Sequence, residues 1–375
     1  MALQELERNK KYRISVVLGY NGSKMIRHTE IFYGGKKEAR LRENEIKNQN
    51  KNHTFVKRTK KTVQELMIEY MEFKKSEWTP KTYIANKKRI ENINNKIGHN
   101  NLQELNAKTI ESFYKYLKDE IHYSDSTIKK HYEIINNALN TAVKWDYITF
   151  NVNSKVTKPK PRPKEVICYS PEEVEKLIKV IQNEPLKYQA IILLALDSGC
   201  RRGELTGLLW EDIDFKNSTI NINKTTQYLP EYGIFETKTK SRTSDRKIYI
   251  SSTTLNILRK YRSEQLQKKL LLGNKWGNSK RVFTTQYGQD MHPDTPSQIL
   301  RNIIKKYNLK KIKFHALRHT SISLMISKGV QLQIISKKAG HSNTAITHQI
   351  YSHFFDDEFK EVANIMNDFL QIKKA

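Results

Sequence analysis

A chain of 375 residues is long for one hydrophobic core, so two or three domains are expected. Hydrophobic residues make up 37%, and the longest clean apolar run is Ala190 to Leu196, which suits globular cores and excludes a membrane span of about 20 apolar residues. Lys and Arg total 67 against 39 Asp and Glu, a formal charge of +28 spread along the chain; this points to a polyanion that the protein surrounds, with DNA, RNA and anionic membrane all open on composition alone. The N-terminal residues MALQELERNKKYR contain no apolar h-region or small-residue cleavage site, so no secretory signal is expected. Cys168 and Cys200 lie in no CxxC or Cys/His cluster, so two reduced thiols and no structural zinc are expected.

Residues 1–60 hold 15 Lys/Arg against 6 Asp/Glu. They are expected to form a small α+β module, a three-stranded sheet plus a helix. Two strands are legible at Tyr12–Leu18 and Ile26–Phe32, where β-branched and aromatic residues gather. Tyr20-Asn21-Gly22-Ser23 is a hairpin turn signal between them. Gly34-Gly35 ends the sheet, and Lys36–Asn48 reads as a charged helix. Sixty residues bury little core, so the module is expected to dock on something larger, such as a nucleic-acid groove, with Lys11, Arg13, Lys24 and Arg27 as candidate contacts.

Residues 61–153 read as all-helical. Leu66, Tyr70 and Phe73 repeat at helical spacing. Thr79-Pro80 opens a second helix carrying Tyr83, Ile90, Ile93 and Ile97, which Gly98 closes. Ile110, Phe113, Tyr114 and Leu117 form a third stripe; Ser126–Tyr147 supplies a fourth, with Ile128, Ile135, Leu139 and Val143 inward. Lys81, Lys87, Lys88, Lys129 and Lys130 lie near helix starts or on polar faces; any one of them is an ordinary solvated lysine, but the cluster leans towards phosphate contacts. Residues 154–164, SKVTKPKPRPK, form a basic Pro-rich linker that resists helix and sheet.

From residue 165 onward the pattern is mixed α and β. Ser170-Pro171-Glu172-Glu173 is a capping box that opens a helix to about Gln182. Leu186–Ser198 is an apolar helix stopped by Gly199. Ile213–Phe215, Thr219–Ile222 and Lys247–Ile250 alternate like strands, and Thr253–Leu271 is a long amphipathic helix. Further helices are expected from about Thr295, His315, Leu332 and Asn343.

Four segments carry candidate chemistry. In Ser198–Leu205 a helix ends at Gly199 and another begins at once, so Arg201 projects from a tight corner with Glu204 three residues on to brace it. Thr237-Lys238-Thr239-Lys240-Ser241, then Arg242, reads as a β-hairpin with basic residues at its tip. In Phe314–Thr320, His315 and Arg318 are i and i+3 and converge on one anion, while His319 and Thr320 face elsewhere. His341 follows Gly340 at a helix end, and Tyr351 lies ten residues later. Each of these, taken alone, also reads as an ordinary surface or core residue, Tyr351 above all in a chain with 19 tyrosines.

Taken in order, an Arg at a glycine turn, a hairpin Lys, His-x-x-Arg, Gly-His and a Tyr near the C-terminus resemble the tyrosine recombinase (phage integrase) family box by box. The resemblance spans about residue 165 to the end. It assigns Arg201, Lys238, His315, Arg318, His341 and Tyr351 as catalytic, with Lys240 the alternative to Lys238 and with Lys240 and Arg242 among the DNA contacts. The helical unit is similar to the family's core-site DNA-binding domain, and the N-terminal sheet and helix to its arm-site-binding domain.

The resemblance implies a multidomain fold: arm-binding module, all-α core-binding domain, linker, and a catalytic domain (165–375) that is mainly helical with a small antiparallel sheet. It implies a site-specific DNA recombinase that needs neither metal, ATP nor other cofactor. Two arginines would hold the non-bridging oxygens of a phosphodiester. Tyr351 would attack as nucleophile, with His315 helping to move its proton. Lys238 would protonate the departing 5′-oxygen, and His341 would bond the phosphate or position Tyr351. The product would be a 3′-phosphotyrosine bond that conserves energy for religation. The expected partners are double-stranded DNA at core and arm sites, three further copies in a tetramer, and an excision factor or host bending protein; the expected location is the bacterial nucleoid in the cytoplasm, away from membranes. Beyond Tyr351, Phe355, Phe359, Val362, Met366 and Phe369 form an acidic amphipathic stripe, which packs on its own domain or, as the family implies, on a neighbouring subunit. A resolvase or invertase and a type IB topoisomerase share this chemistry, and a non-catalytic architectural DNA-binding protein fits the composition equally well.

Overall fold

Two units of chain, residues 1–163 and 164–375, build separate cores. The computed structural model describes residues 3–51, 55–161, 167–238 and 245–340, without the side chains of Asn21 and Lys238. Among the described residues no helix is long and apolar enough to cross a membrane.

The first unit opens with an antiparallel sheet of Leu3–Glu7 (β1), Lys11–Asn21 (β2) and Lys24–Tyr33 (β3), in the order β1-β2-β3. Asn21 pairs with Lys24, so Gly22 and Ser23 form the two-residue loop, and Gly22 takes the φ of +60° that such a loop demands. Period-two alternation turns Tyr12, Ile14 and Val16 inward, and Ile14 and Val16 pack on Ile46 of helix Lys36–Lys51 (α1). The opposite face stays open. On it Lys11 pairs with Tyr33, Arg13 with Ile31 and Val17 with Arg27, and the Lys11 ammonium lies 5.3 Å from the Tyr33 ring centre. Lys24 is exposed but belongs by alternation to the face of His28, so it does not join these three.

Helices Val63–Lys74 (α2), Pro80–Ile97 (α3), Ala107–Asp119 (α4) and Asp125–Lys144 (α5) follow. Each starts at a residue suited to it: Thr62 with Glu65 in a capping box, Thr79 ahead of Pro80, Asn106, and Ser124. Leu66, Tyr70, Ile90, Ile93, Ile97, Ile110, Phe113, Leu117, Ile128, Ile135 and Leu139 meet in one core. Phe73 and Tyr83 stand outside it: Tyr83 is half-buried, and Phe73 is half exposed and edge-on to Trp145, 5.3 Å between ring centres. The chain from 154 is not extended at once, because a 3₁₀ turn at Val152–Lys155 tucks Val152 and Val156 into this core and sets Asn153 to accept from the Tyr114 hydroxyl at 3.0 Å. Lys81, Lys87, Lys88 and Lys130 are exposed and Lys129 half-buried.

In the second unit Pro171–Ile181 (α6) starts from the Ser170–Glu173 capping box. Leu186–Ser198 (α7) ends at Gly199, whose φ of +62° is open to glycine at little cost. Arg202–Gly207 (α8) begins after only Cys200 and Arg201. Ile213–Asp214 (β4), Thr219–Ile222 (β5) and Arg246–Tyr249 (β8) form one antiparallel sheet in the order β4-β5-β8. Lys224–Leu229 (β6) and Gly233–Lys238 (β7) form a separate hairpin. Ser252–Leu272 (α9), Thr295–Lys306 (α10), Phe314–Ile326 (α11) and Leu332–Ala339 (α12) complete the described part. The expected helix from Asn343 lies outside the described residues.

The hairpin corrects the expectation for Lys238. Its turn is at Pro230–Tyr232, so Lys238 sits not at the tip but at the open end of β7, paired across to Lys224; β8 belongs to the other sheet. The hairpin is seated by α8. A Cβ on Gly203 would stand 2.3 Å from Thr225 Oγ1 and 2.7 Å from the Thr226 carbonyl, and the Thr206 and Thr226 hydroxyls bond at 2.5 Å. Behind it, buried Arg281 donates to the Thr206 carbonyl at 3.2 Å and to Glu236 of β7 and Asp290, each at 3.0 Å.

This contact generates a stability prediction. Gly203→Ala forces the backbone of β6 away from α8 and costs about 1–3 kcal/mol, as overpacking does. Thermal unfolding of the full chain measures it as a fall on the order of 2–10 °C, and an unchanged midpoint contradicts the close approach.

Candidate active site

Glu204 is the hub. It occupies the third position of α8, is 3% exposed, and accepts from the Arg201 backbone N–H at 2.9 Å, the reciprocal half of a capping box. Arg201 Nη1 donates to its Oε1 at 2.8 Å. From the other side Arg246 Nη2 donates to Oε2 at 2.9 Å. Burial pushes this carboxyl up, but Arg246 and then Arg201 outweigh it and hold it below the ordinary carboxylate range. Glu204 is therefore a charged brace that fixes how Arg201 leaves its helix corner.

Arg318 comes in from α11 and is 3% exposed. The left-handed turn at Gly199 presents a helix-terminal carbonyl, and Arg318 Nη1 donates to it at 2.8 Å. Arg318 Nη2 is buried and has no hydrogen-bond partner among the described residues. Burial and the charge of Arg201 pull its pKa down to about 10, so it remains a cation at neutral pH but a cation short of negative charge. Arg201 keeps Nη2 on the Gly340 carbonyl at 3.2 Å, and its side chain is 41% exposed, open to a ligand.

His315 is one helical turn before Arg318. Its imidazole is held below the usual histidine range by burial, Arg318 and Arg201, with Glu204 opposing. It is neutral at pH 7 and thus able to take or give a proton. His319 does not face elsewhere, as expected from sequence: i and i+4 share a helix face, and the two rings meet edge to face at 4.9 Å. Thr320 does turn away, accepting from the Tyr169 N–H at 3.0 Å.

Three of the six residues assigned by resemblance therefore converge: Arg201, His315 and Arg318. Lys238 is placed by its backbone alone, at the end of β7. His341, Tyr351, Lys240 and Arg242 lie outside the described residues. Gly340 caps α12 in the left-handed conformation, φ +69°, immediately before His341. Among the described residues no three His, Cys, Asp or Glu side chains could hold a metal ion.

Sequence reading misses two arginines. Arg246 is 7% exposed and also donates Nε to the Lys338 carbonyl at 2.7 Å. Its signal is present: in Arg246-Lys247-Ile248-Tyr249-Ile250, period two puts Arg246 on the same inward face as Ile248 and Ile250. Arg281 ties down the strand that ends in Lys238, and its position in a loop gives no comparable signal.

Comparison with known proteins adds a family. The phage integrase family profile matches residues 169–358, and the phage integrase SAM-like domain matches residues 42–156. A tyrosine recombinase XerC-like protein of Caldanaerobacter subterraneus subsp. tengcongensis is 27% identical over 95% of this chain and 96% of its own. The integrase of Staphylococcus phage L54a is 30% identical over 80% of this chain and 91% of its own. The Tn1549 transposon integrase, solved in complex with a circular intermediate DNA, shares the fold with a TM-score of 0.68 at 21% identity, over 81% of this chain and 99% of that one.

The environment of His319 sets a pH prediction. Burial, His315 and Arg318 lower its pKa from 6.5 to about 4. The folded value lies below the unfolded one, so its contribution to stability is full above pH 6.5 and is lost as pH falls through 4. NMR titration of the imidazole should give a midpoint near 4; a midpoint at the ordinary histidine value refutes the packing of His319 on His315.

Proposed function

This chain belongs to the phage integrase family and is a site-specific DNA recombinase, and on that premise we propose that it integrates and excises a mobile element through a 3′-phosphotyrosine intermediate. What supports the reading is the buried Nη2 of Arg318 beside Arg201, without a hydrogen-bond partner among the described residues, where two cations lie together short of one anion. In the proposed reaction Arg201 and Arg318 hold the two non-bridging oxygens of the scissile phosphate, where negative charge grows during attack. The Tyr351 oxygen attacks phosphorus, and its proton leaves by way of His315 or solvent. The bond from phosphorus to the 5′-oxygen breaks, and Lys238, with Lys240 as the alternative, supplies the proton that makes it a hydroxyl. His341 bonds the phosphate or positions Tyr351. The phosphodiester is exchanged, not hydrolysed, so neither ATP nor metal is required.

The remaining roles are proposals of the same reading. Residues 61–153 grip the core site, using Lys81, Lys87, Lys88, Lys129 and Lys130, and the 154–164 linker joins them to the catalytic residues 165–375. Lys11, Arg13 and Arg27 on the open sheet face, and Lys24 beside the turn on the other face, contact a separate arm site. Four copies assemble on DNA in the cytoplasm, the acidic segment after Tyr351 packs on its own domain or docks on a neighbouring copy, and an excision factor or host bending protein sets direction. The XerC-like name of the relative aligned over 95% of the chain favours a second reading, a resolvase of the same chemistry. Recombination between two separate molecules distinguishes an integrase from a resolvase confined to sites on one.

Incubation with a nicked suicide duplex carrying the core site tests the chemistry. A covalent adduct is expected, lost in Tyr351→Phe with DNA binding intact, and reduced about 10²–10³-fold in Arg318→Ala. Equal adduct from Tyr351→Phe removes the nucleophile assignment. Deleting residues 1–60 should abolish integration and spare core cleavage; unimpaired integration removes the arm-binding role.

A further inference from the structure

Arg246 makes contacts that no step of the proposed reaction uses. Its guanidinium is 4% exposed in its side chain and bridges two separate elements. One side of the fork reaches Glu204, at 2.9 Å from Nη2 to Oε2 and 3.4 Å from Nη1 to Oε1. A further N–H, on Nε, donates to the Lys338 carbonyl in the last turn of α12 at 2.7 Å. Gly340 fits against the same group, since a Cβ there would stand 2.8 Å from Arg246 Nη1. Arg201, on the far side of Glu204, donates to the Gly340 carbonyl at 3.2 Å. Two arginines and one carboxylate thus close a loop between the start of α8 and the end of α12.

We propose that Arg246 is a positioning residue for strand cleavage: it locks the end of α12, from which the chain enters His341 and runs to Tyr351, to the Glu204 carboxylate that orients Arg201. The inference rests on the catalytic roles proposed above. The lock needs a fork and not merely a charge. A carboxylate and a carbonyl lie in different directions from the guanidinium carbon, and planar N–H groups serve both at once. A lysine in its place keeps the charge beside Glu204 but lacks the rigid fork that meets both acceptors. Anchoring matters because displacement of a reacting group by about 1 Å costs on the order of 10²-fold in rate.

Glu204 is faced by Arg201 from its own helix start, Arg246 from β8, the Cys200 thiol, and Arg318 and His315 from α11. Loss of the Arg246 charge lets burial drive the Glu204 carboxyl upward, and once protonated it no longer braces Arg201 as an anion. The acid limb of the cleavage profile then moves to higher pH in Arg246→Met and stays near its place in Arg246→Lys. A residue that only held the fold together would lower the rate by one factor at every pH.

The test uses the full chain as wild type, Arg246→Lys, Arg246→Met and the Arg246→Met/Glu204→Gln double variant, which removes both buried charges and keeps a folded comparison if the single Met variant melts. Single-turnover cleavage of the suicide duplex is measured from pH 6 to 8.5, beside hydrogen exchange of the amides at 336–340. Arg246→Lys should cleave on the order of 10²-fold more slowly, with DNA affinity and melting temperature preserved, and the 336–340 amides should exchange faster. Wild-type rates and exchange in Arg246→Lys overturn the proposal, as does a rate loss that merely tracks melting temperature. A wild type that forms no Tyr351-dependent adduct overturns the functional reading instead, and the exchange measurement still decides whether Arg246 holds α12.

Discussion

A single carboxylate, sealed from water, sets the geometry on which the rest of the second unit depends. Burying an ion costs several kcal/mol unless its partners are present and well aimed. Glu204 meets that requirement with four N–H contacts from two arginines: the backbone and side chain of Arg201, and both terminal nitrogens of Arg246. In a chain of formal charge +28, this one acid allows cations to be gathered where repulsion would otherwise scatter them. Arg318 stands within the same field without sharing the carboxylate, and burial first, then the charge of Arg201, depress its pKa to about 10 against the pull of Glu204. A bound phosphodiester is the missing negative charge in the proposed reaction.

Arginine does two kinds of work in this unit, and the distinction is visible in burial. Arg246 and Arg281 are buried and tied on several sides, one to the end of α12 and one to the hairpin strand that ends in Lys238. Arg201 is partly open, and Arg318 is buried but incompletely paired among the described residues. The first pair holds elements together through helix-terminal carbonyls and carboxylates. The second pair has donors left for a ligand. Glycine takes part in the same design: Gly203 lets β6 approach α8, and Gly199 turns a carbonyl towards Arg318.

Much of this was legible in the sequence, for identifiable reasons. Caps announce themselves through a residue and its partner three positions on, so Ser170–Glu173 and Thr79-Pro80 mark their helices closely. Gly199 and Gly340 mark ends because both take positive φ. What escaped depends on contacts between distant segments. The β6–β7 hairpin is polar and short, and its pairing with itself, not with β8, is decided by how it seats on α8. The N-terminal sheet has the three strands expected of it, but the third could not be located, because LQELE lacks the β-branched residues that flag a strand and pairs because β2 offers it an edge. The bridge made by Arg246 spans residues 204 and 338, a separation that no local pattern encodes. For the site, order along the chain supplied what no single residue could; Arg201, His315 and Arg318 are together in space, and the tyrosine and second histidine of the proposed site remain assigned by their place in that order.

In the proposed reaction Arg201 and Arg318, gathered around Glu204, neutralise a phosphate undergoing attack. Replacing one non-bridging oxygen of the scissile phosphate by methyl removes the negative charge and leaves the bond to be broken unchanged. If charge is the reason for the second arginine, Arg318→Ala cleaves the methylphosphonate duplex and forms its covalent adduct while remaining about 10²–10³-fold impaired on the ordinary phosphate. If Arg318→Ala is equally impaired on both, the arginine serves some purpose other than neutralising the phosphate, and Arg318 is not the charge the attacked phosphate requires.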